Sequence, residues 1–244
     1  LCITRSKRIT VEHLMVRNSR NFNFNVRRSD DVTFRYCKAI SPPGCLPEYT
    51  DGFNINSCEN LLIEDCFVFC NDDCFATGHY FDLYDDRASG EYVIRRLVGW
   101  NPRANGVRIG FMAYYNQGNM LFEDCDFIEA DDSGVLIHPL RDSGESDRYQ
   151  WYDQIHFSNC GFDNVHRYAQ GLFLVYQPRM RSLVFSDITI DGLSPTPSRI
   201  LGHPTDLIGR LTLKNFKVGN RRLRTPQEAA ITIEGVKDLD TDEM

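Results

Sequence analysis

The chain lacks a basic run, a long apolar run and any sustained helical periodicity, and each shortage excludes a class of protein. Its 27 Lys and Arg are outnumbered by 34 Asp and Glu, for a net charge of −7. No stripe of Lys or Arg stands out, so a nucleic-acid partner is not expected. No apolar stretch approaches the roughly 18 residues of a membrane span, and no membrane partner is expected either. There is no CxxC pair with zinc-finger spacing, no phosphate-binding glycine loop and no calcium loop, so no cofactor and no metal are expected. The nine cysteines are odd in number, and most sit inside strand-like patterns. They read as small buried hydrophobes rather than a disulfide framework.

What is present is a repeat. A large apolar residue, two mostly polar positions and a second apolar residue recur at Val11, Phe34, Ile63, Ile94, Phe122, Phe157, Phe185 and Leu213, at intervals of 23, 29, 31, 28, 35, 28 and 28 residues. Each copy is followed by a polar break and a second short apolar segment, as in Gly52-Phe53-Asn54-Ile55 and Gly134-Val135-Leu136-Ile137. Two or three short strands per period predict a parallel β-helix of about eight coils, an all-β fold, rather than an antiparallel sandwich. Like residues then stack one rung apart, ~4.8 Å, which makes neighbours of Cys37 and Cys66 and of Cys125 and Cys160. Asp65, Asp124, Asn159, Asp187 and Asn215 precede the second apolar position and fit a turn that tolerates left-handed backbone. The chain reads as one β-helix domain over 1–244. It starts at Leu1 with the pattern running by Ile9, as a fragment lacking N-terminal coils would. The acidic tail after Val236 is expected to fray. The longer intervals, 41–49, 80–90 and 141–152, are expected to be insertions bordering a site.

Carboxylates concentrate at two polar breaks. Pairing Gly52 with Cys74 sets Asp51 beside Asp73 on the next rung, with Asp72 adjacent. Three carboxylates so close cannot all ionise freely, which provides a proton-bearing acid beside ionised bases, as glycoside hydrolysis requires. Ala130-Asp131-Asp132-Ser133 repeats the acidic pair. Counting from Cys125 matches Asp131 and Asp132 to Asp72 and Asp73, and counting from Gly134 shifts the match by one. Asp132 either lines the cleft or pairs with Arg103.

Tyr49-Thr50-Asp51-Gly52-Phe53, Cys58 to Cys66, and Asn71-Asp72-Asp73-Cys74-Phe75-Ala76 resemble the core of glycoside hydrolase family 28, the polygalacturonase-like group of the pectin-lyase-like β-helix superfamily, with its NTDG and GDDC motifs. The close resemblance spans residues 49 to 78. It implies a right-handed β-helix, inversion of the anomeric centre, Asp72 as the general acid, and Asp51 and Asp73 as the pair that holds and deprotonates water. The chain departs from the family elsewhere. Tyr49 and Asn71 stand where the family has Asn and Gly, Asn105 stands where it has a histidine, and Leu136-Ile137-His138 falls on its RIK motif. A substrate carboxylate buried against Leu136 would cost several kcal/mol, so plain polygalacturonate is not the expected substrate. Arg108 is read as a surface strand residue in preference to a displaced cation. Asn105, Arg108, Asp132, His138, His79 and Tyr80 are the candidate substrate-binding residues, with Tyr84, Trp100, Tyr114, Tyr115 and Tyr176 as possible sugar platforms. The expectation is a monomeric, secreted or periplasmic hydrolase of a poly- or oligosaccharide. A non-catalytic glycan-binding or adhesin-type β-helix and a polysaccharide lyase are the rival readings.

Overall fold

The structure is a computed structural model that describes residues 1–244 except 43, 45–48, 79–86, 88, 111–115, 140–150, 165–168 and 243. His79, Tyr80, Tyr84, Tyr114 and Tyr115, with most of the three long intervals, therefore lie outside the described residues. Every coil contributes short strands that pair in parallel with their counterparts one repeat away. One sheet has nine strands, running from Cys2–Thr4 through Phe24–Arg27, Phe53–Asn56, Phe75–Thr77, Val107–Ile109, Val135–Ile137, Phe173–Tyr176 and Ser198–Leu201 to Ile231–Glu234. A second sheet has two arms. One carries strands such as Glu59–Glu64 and Gly90–Arg95, the other strands such as Phe67–Phe69 and Val98–Trp100, and the long strand Arg179–Ile190 joins them. The result is an all-β, right-handed parallel β-helix, the hand that parallel crossovers take. Among the described residues no helix is long and apolar enough to cross a membrane.

The core follows from the alternation along each strand. Inward residues stack on their own kind one rung away, as Phe122 does on Phe157 and Phe157 on Phe185, with ring centroids 4.6 and 5.1 Å apart. Cys37, Cys66, Cys125 and Cys160 are buried and free, in one column with Leu97 between Cys66 and Cys125. The predicted turn geometry is present. Asp65, Asp124, Asn159, Asp187 and Asn215 all have φ between 51° and 56°. His13, Tyr36 and Arg96 occupy the same left-handed position without the Asn or Asp preference. Side chains bond along this column, Asn159 Nδ2 donating to Asp124 Oδ1 at 2.7 Å and Asn215 Nδ2 to Asp187 Oδ1 at 2.6 Å.

The C-terminal expectation is corrected. Val236–Asp240 is a strand, paired in parallel with Ile208–Val218 through Ile208↔Val236 and Leu211↔Leu239. Its acidic residues did not prevent pairing: Val236 packs against the core and Arg210 binds Asp240 at 2.9 Å, while Leu239 is exposed.

Candidate active site

The acidic residues sit at the corner where each coil passes from the second sheet to the first. Strand pairing Phe53↔Phe75↔Val107↔Val135 fixes the register there. Gly52 is opposite Cys74, and Gly52 N–H donates to the Asp73 carbonyl at 2.9 Å, so Asp51 and Asp73 are rung neighbours as the sequence predicts. The same ladder sets Gly134 opposite Gly106 and Cys74, and Gly106 N–H donates to Ser133 O at 3.0 Å. The count from Gly134 is therefore the correct one. Asp132 shares the rung position of Asp72, and its N–H donates to Ala104 O at 3.2 Å.

Oxygens of Asp51, Asp72 and Asp73 lie within 4.8 Å of one another, the one such metal-ligating group among the described residues. Their surroundings differ. Asp51 is 3% exposed, and its Oδ2 accepts from Asn54 Nδ2 at 2.5 Å. Asp73, equally buried, has more compensation. Its Oδ1 accepts from Asn105 N–H at 3.1 Å and Asn105 Nδ2 at 2.7 Å, and Arg108 Nη1 lies 3.7 Å from Oδ2. Asp72 is partly exposed, its Oδ1 accepting from the Asp73 N–H at 3.0 Å. Burial raises all three carboxyls above their ordinary value, and like charges add to it, Asp73 and Asp72 acting on Asp51, Asp73 on Asp72, and Asp132 on Asp73. Asp72 is pushed up to about 7, whereas the Arg108 charge and the Asn105 donors pull Asp73 back. The cluster thus holds a proton near neutral pH, with its negative charge best accommodated on Asp73. A cation between these carboxylates would compete with Asn105 and Arg108 for Asp73.

A groove of about 510 Å³ opens beside Asp73. Four predicted residues, Asn105, Arg108, Asp132 and His138, line it, so Arg108 belongs to the cleft rather than to a plain surface strand. Tyr176, proposed as a sugar platform, is there too, its ring 5.1 Å from His138 in an edge contact. Trp100 is elsewhere, stacked on Phe69 at 4.8 Å and donating to Glu129 at 2.8 Å. A larger groove of about 650 Å³ lies over Leu62, Val93, Leu121 and His156 on the other sheet, away from the carboxylates.

Sequence reasoning missed several residues. Gln170, Leu174, Thr196 and Arg199 also line the cleft. Counting the outward ladder Arg108↔Leu136↔Leu174↔Arg199 would have found Leu174 and Arg199. Buried Asn101 knits the acidic turn to the next coil. Its Nδ2 donates to Asp72 O at 2.5 Å and Asn105 O at 3.1 Å, and its Oδ1 accepts from the Arg103 and Ala104 N–H groups. The signal was an Asn before Pro102 at a strand end, a common turn opener.

Residues 1–84, which contain all three clustered aspartates, match the family model described as Glycosyl hydrolases family 28. A probable polygalacturonase of Vitis vinifera is 30% identical over 132 residues, 53% of this chain and 26% of the relative. The crystal structure of a hyperthermoactive exopolygalacturonase from Thermotoga maritima superposes with a TM-score of 0.58 at 15% identity, covering 90% of this chain and 54% of that one, a likeness of fold. The chain thus spans about a quarter of the curated relative and about half of the solved structure. The family 28 match ends at residue 84, before Asn105, Leu136 and His138.

Proposed function

We propose that the protein is a glycoside hydrolase that cleaves a poly- or oligosaccharide at the Asp51, Asp72 and Asp73 cluster. The observation that carries this reading is the convergence of three carboxylates from two adjacent coils to within 4.8 Å, one of them, Asp72, partly exposed with its pKa pushed up to about 7. Asp72 is the accessible proton donor. It protonates the glycosidic oxygen as the bond to the anomeric carbon breaks, and water adds to that carbon while losing a proton to the Asp51 and Asp73 pair. Asn105 and Arg108 favour the charged form of Asp73, which suits a base.

Inversion at the anomeric carbon is part of the proposal and rests on the family resemblance. The oxygens lie closer than the ~6.5–9.5 Å usual between carboxyl groups that flank a free water, so NMR of the first-formed anomer is the direct test. The opposite configuration to that of the cleaved bond is expected, and retention refutes inversion. The middle of the groove disfavours a uniformly charged chain, because Leu136 and Leu174 are apolar there. Burial and Arg108 also lower the His138 pKa, so its ring is neutral. An uninterrupted polygalacturonate is therefore a poor fit. Polymeric glycans are met outside the cytoplasm, which supports secretion or periplasmic export.

The test is reducing-end release from a panel of neutral, acidic and branched glycans. Wild type should release product from at least one member and Asp72→Asn from none, with circular dichroism unchanged. Binding without release by wild type would favour the non-catalytic reading.

A further inference from the structure

The turn that carries Asp72 and Asp73 is bracketed by two buried thiols. Cys70 follows the strand Phe67–Phe69, Cys74 precedes the strand Phe75–Thr77, and both are fully buried. Their sulfurs are in contact. Cys70 Sγ donates to Cys74 Sγ at 3.9 Å and to the Asp72 carbonyl at 2.8 Å. Neither adjacent coil repeats the pair: backbone pairing sets Ser41 and Gly52 opposite them on one side, and Asn101 and Gly106 on the other. Cys74 Sγ fills space that a side chain at Gly99 would take, since a Cβ there would lie 2.9 Å from it. The remaining close cysteines are arranged differently. Cys37 stacks on Cys66 and Cys125 on Cys160, one rung apart, and their sulfurs interact as well. In-register parallel strands, however, hold such Cβ atoms ~4.8 Å apart, beyond the ~3.5–4.5 Å that a disulfide spans.

We propose that Cys70 and Cys74 form a disulfide, a covalent clasp around Asn71, Asp72 and Asp73 that the stacked cysteines of the core do not copy. The oxidant is a small disulfide such as oxidised glutathione. One cysteine thiolate attacks it, giving a mixed disulfide and releasing one glutathione thiolate. The second cysteine thiolate attacks the protein sulfur of that mixed disulfide and releases the other. Two protein thiols are oxidised, one glutathione disulfide is reduced, and both protons pass to the released glutathione. Burial pushes the Cys70 thiol well up, and Cys74 adds to it, so the finished coil disfavours the reactive thiolate. The bond therefore closes while the coil is still folding and is shielded afterwards, which suits an oxidising compartment. Oxidation takes the Cys70 S–H away from the Asp72 carbonyl, which keeps its bond from Asn101 Nδ2, and the clasp holds the turn instead. The bond stands apart from the hydrolase reading; only its consequence for turnover, through the backbone that presents Asp72, rests on it.

The full chain is refolded in a glutathione redox buffer, and a second sample in excess reductant. Free thiols are alkylated with iodoacetamide, and chymotrypsin, cutting after Phe69 and Phe75, isolates Cys70 to Phe75 for mass spectrometry. From the oxidised sample this peptide should be unlabelled and lighter than its reduced form by two hydrogen atoms, whereas Cys37, Cys66, Cys125 and Cys160 should all carry the label. The oxidised chain should melt about 4–8 °C above the reduced one, as a short-loop crosslink in a chain of this size gives. Cys70→Ala should abolish that difference, with Cys74→Ala as its replacement where it does not fold. Labelling of both cysteines after oxidative refolding, a bond from either to another cysteine, or a melting difference that is absent in wild type or survives in the variant would each overturn the clasp. Failure of the clasped chain to release sugar from any glycan would instead overturn the hydrolase reading alone.

Discussion

Replacing Asp72 by Asn should abolish activity and at the same time raise thermal stability above neutral pH. Burial first, and the Asp73 charge second, push the Asp72 carboxyl from 3.8 up to about 7. A raised carboxyl means that the folded chain holds the proton more tightly than the unfolded one. The stabilisation from that proton is complete below about pH 4, and it is lost as pH climbs through about 7. About three pKa units at ~1.36 kcal/mol each sets an upper bound of ~4 kcal/mol for the burden of ionised Asp72 at pH 8. Asp72 is partly open to water, and the repulsion is shared with Asp51 and Asp73, so about 2 kcal/mol is the working expectation. Asn has the same shape, carries no charge and still accepts the Asp73 N–H bond. At ~2–4 °C per kcal/mol for a chain of this size, Tm at pH 8 should rise by about 4–8 °C. At pH 4 wild type is already protonated, and the difference should shrink towards zero. Differential scanning calorimetry of both chains at the two pH values is the assay. A variant that melts at or below wild type at pH 8 would refute the argument that Asp72 is held as a strained, proton-bearing acid.

The rate profile follows from the same cluster. kcat should fall as pH rises through about 7, because the donor proton is lost. It should also fall on the acid side at a pH above the ordinary carboxylate range, since burial and like charges raise Asp51 and Asp73. A profile flat to about pH 9 would remove Asp72 from the acid role. Asn105→Ala deletes the 2.7 Å donor to Asp73. It should lower kcat about tenfold, for a charge-assisted bond worth ~1.5–3 kcal/mol, and move the acid limb upward; an unmoved limb would mean that Asn105 does not tune Asp73. Gly106→Ala places a methyl 2.7 Å from the Gly134 carbonyl oxygen and 3.0 Å from the Phe127 ring. Overpacking of that kind costs ~1–3 kcal/mol, so Tm should drop by several degrees, and an unchanged melt would show that the coil has slack at this rung.

Much of this was legible in the sequence, for a definite reason. In a parallel β-helix the contacts are between residues one repeat apart, so lining up repeats is the same operation as reading the contact map. That is how Asp51 met Asp73 and Cys37 met Cys66. The reading failed where the repeat length varies or the residue type is silent. The Asp131 and Asp132 match slipped because the turn between Cys125 and Gly134 is one residue longer than the turn between Cys66 and Cys74, and only strand pairing shows which end absorbs it. Arg199 carries no motif, since Ser198-Arg199-Ile200 is an ordinary alternating strand. Its meaning comes from what stands on the three rungs beneath it. The C-terminal strand was misjudged from its charge, since pairing with the preceding coil and the Arg210–Asp240 contact hold it in the sheet.

Among the described residues strand pairing joins each coil only to its neighbours, and the acid cluster is complete within two of them. Duplicating or deleting a coil beyond Leu136 would therefore leave the chemistry in place and move everything distal by one axial step. A sugar chain advances by a similar step per unit, so the fold can exchange one preferred ligand length for another by whole increments. Lineages built on such a scaffold can lengthen or shorten their recognition track without rebuilding the reaction centre.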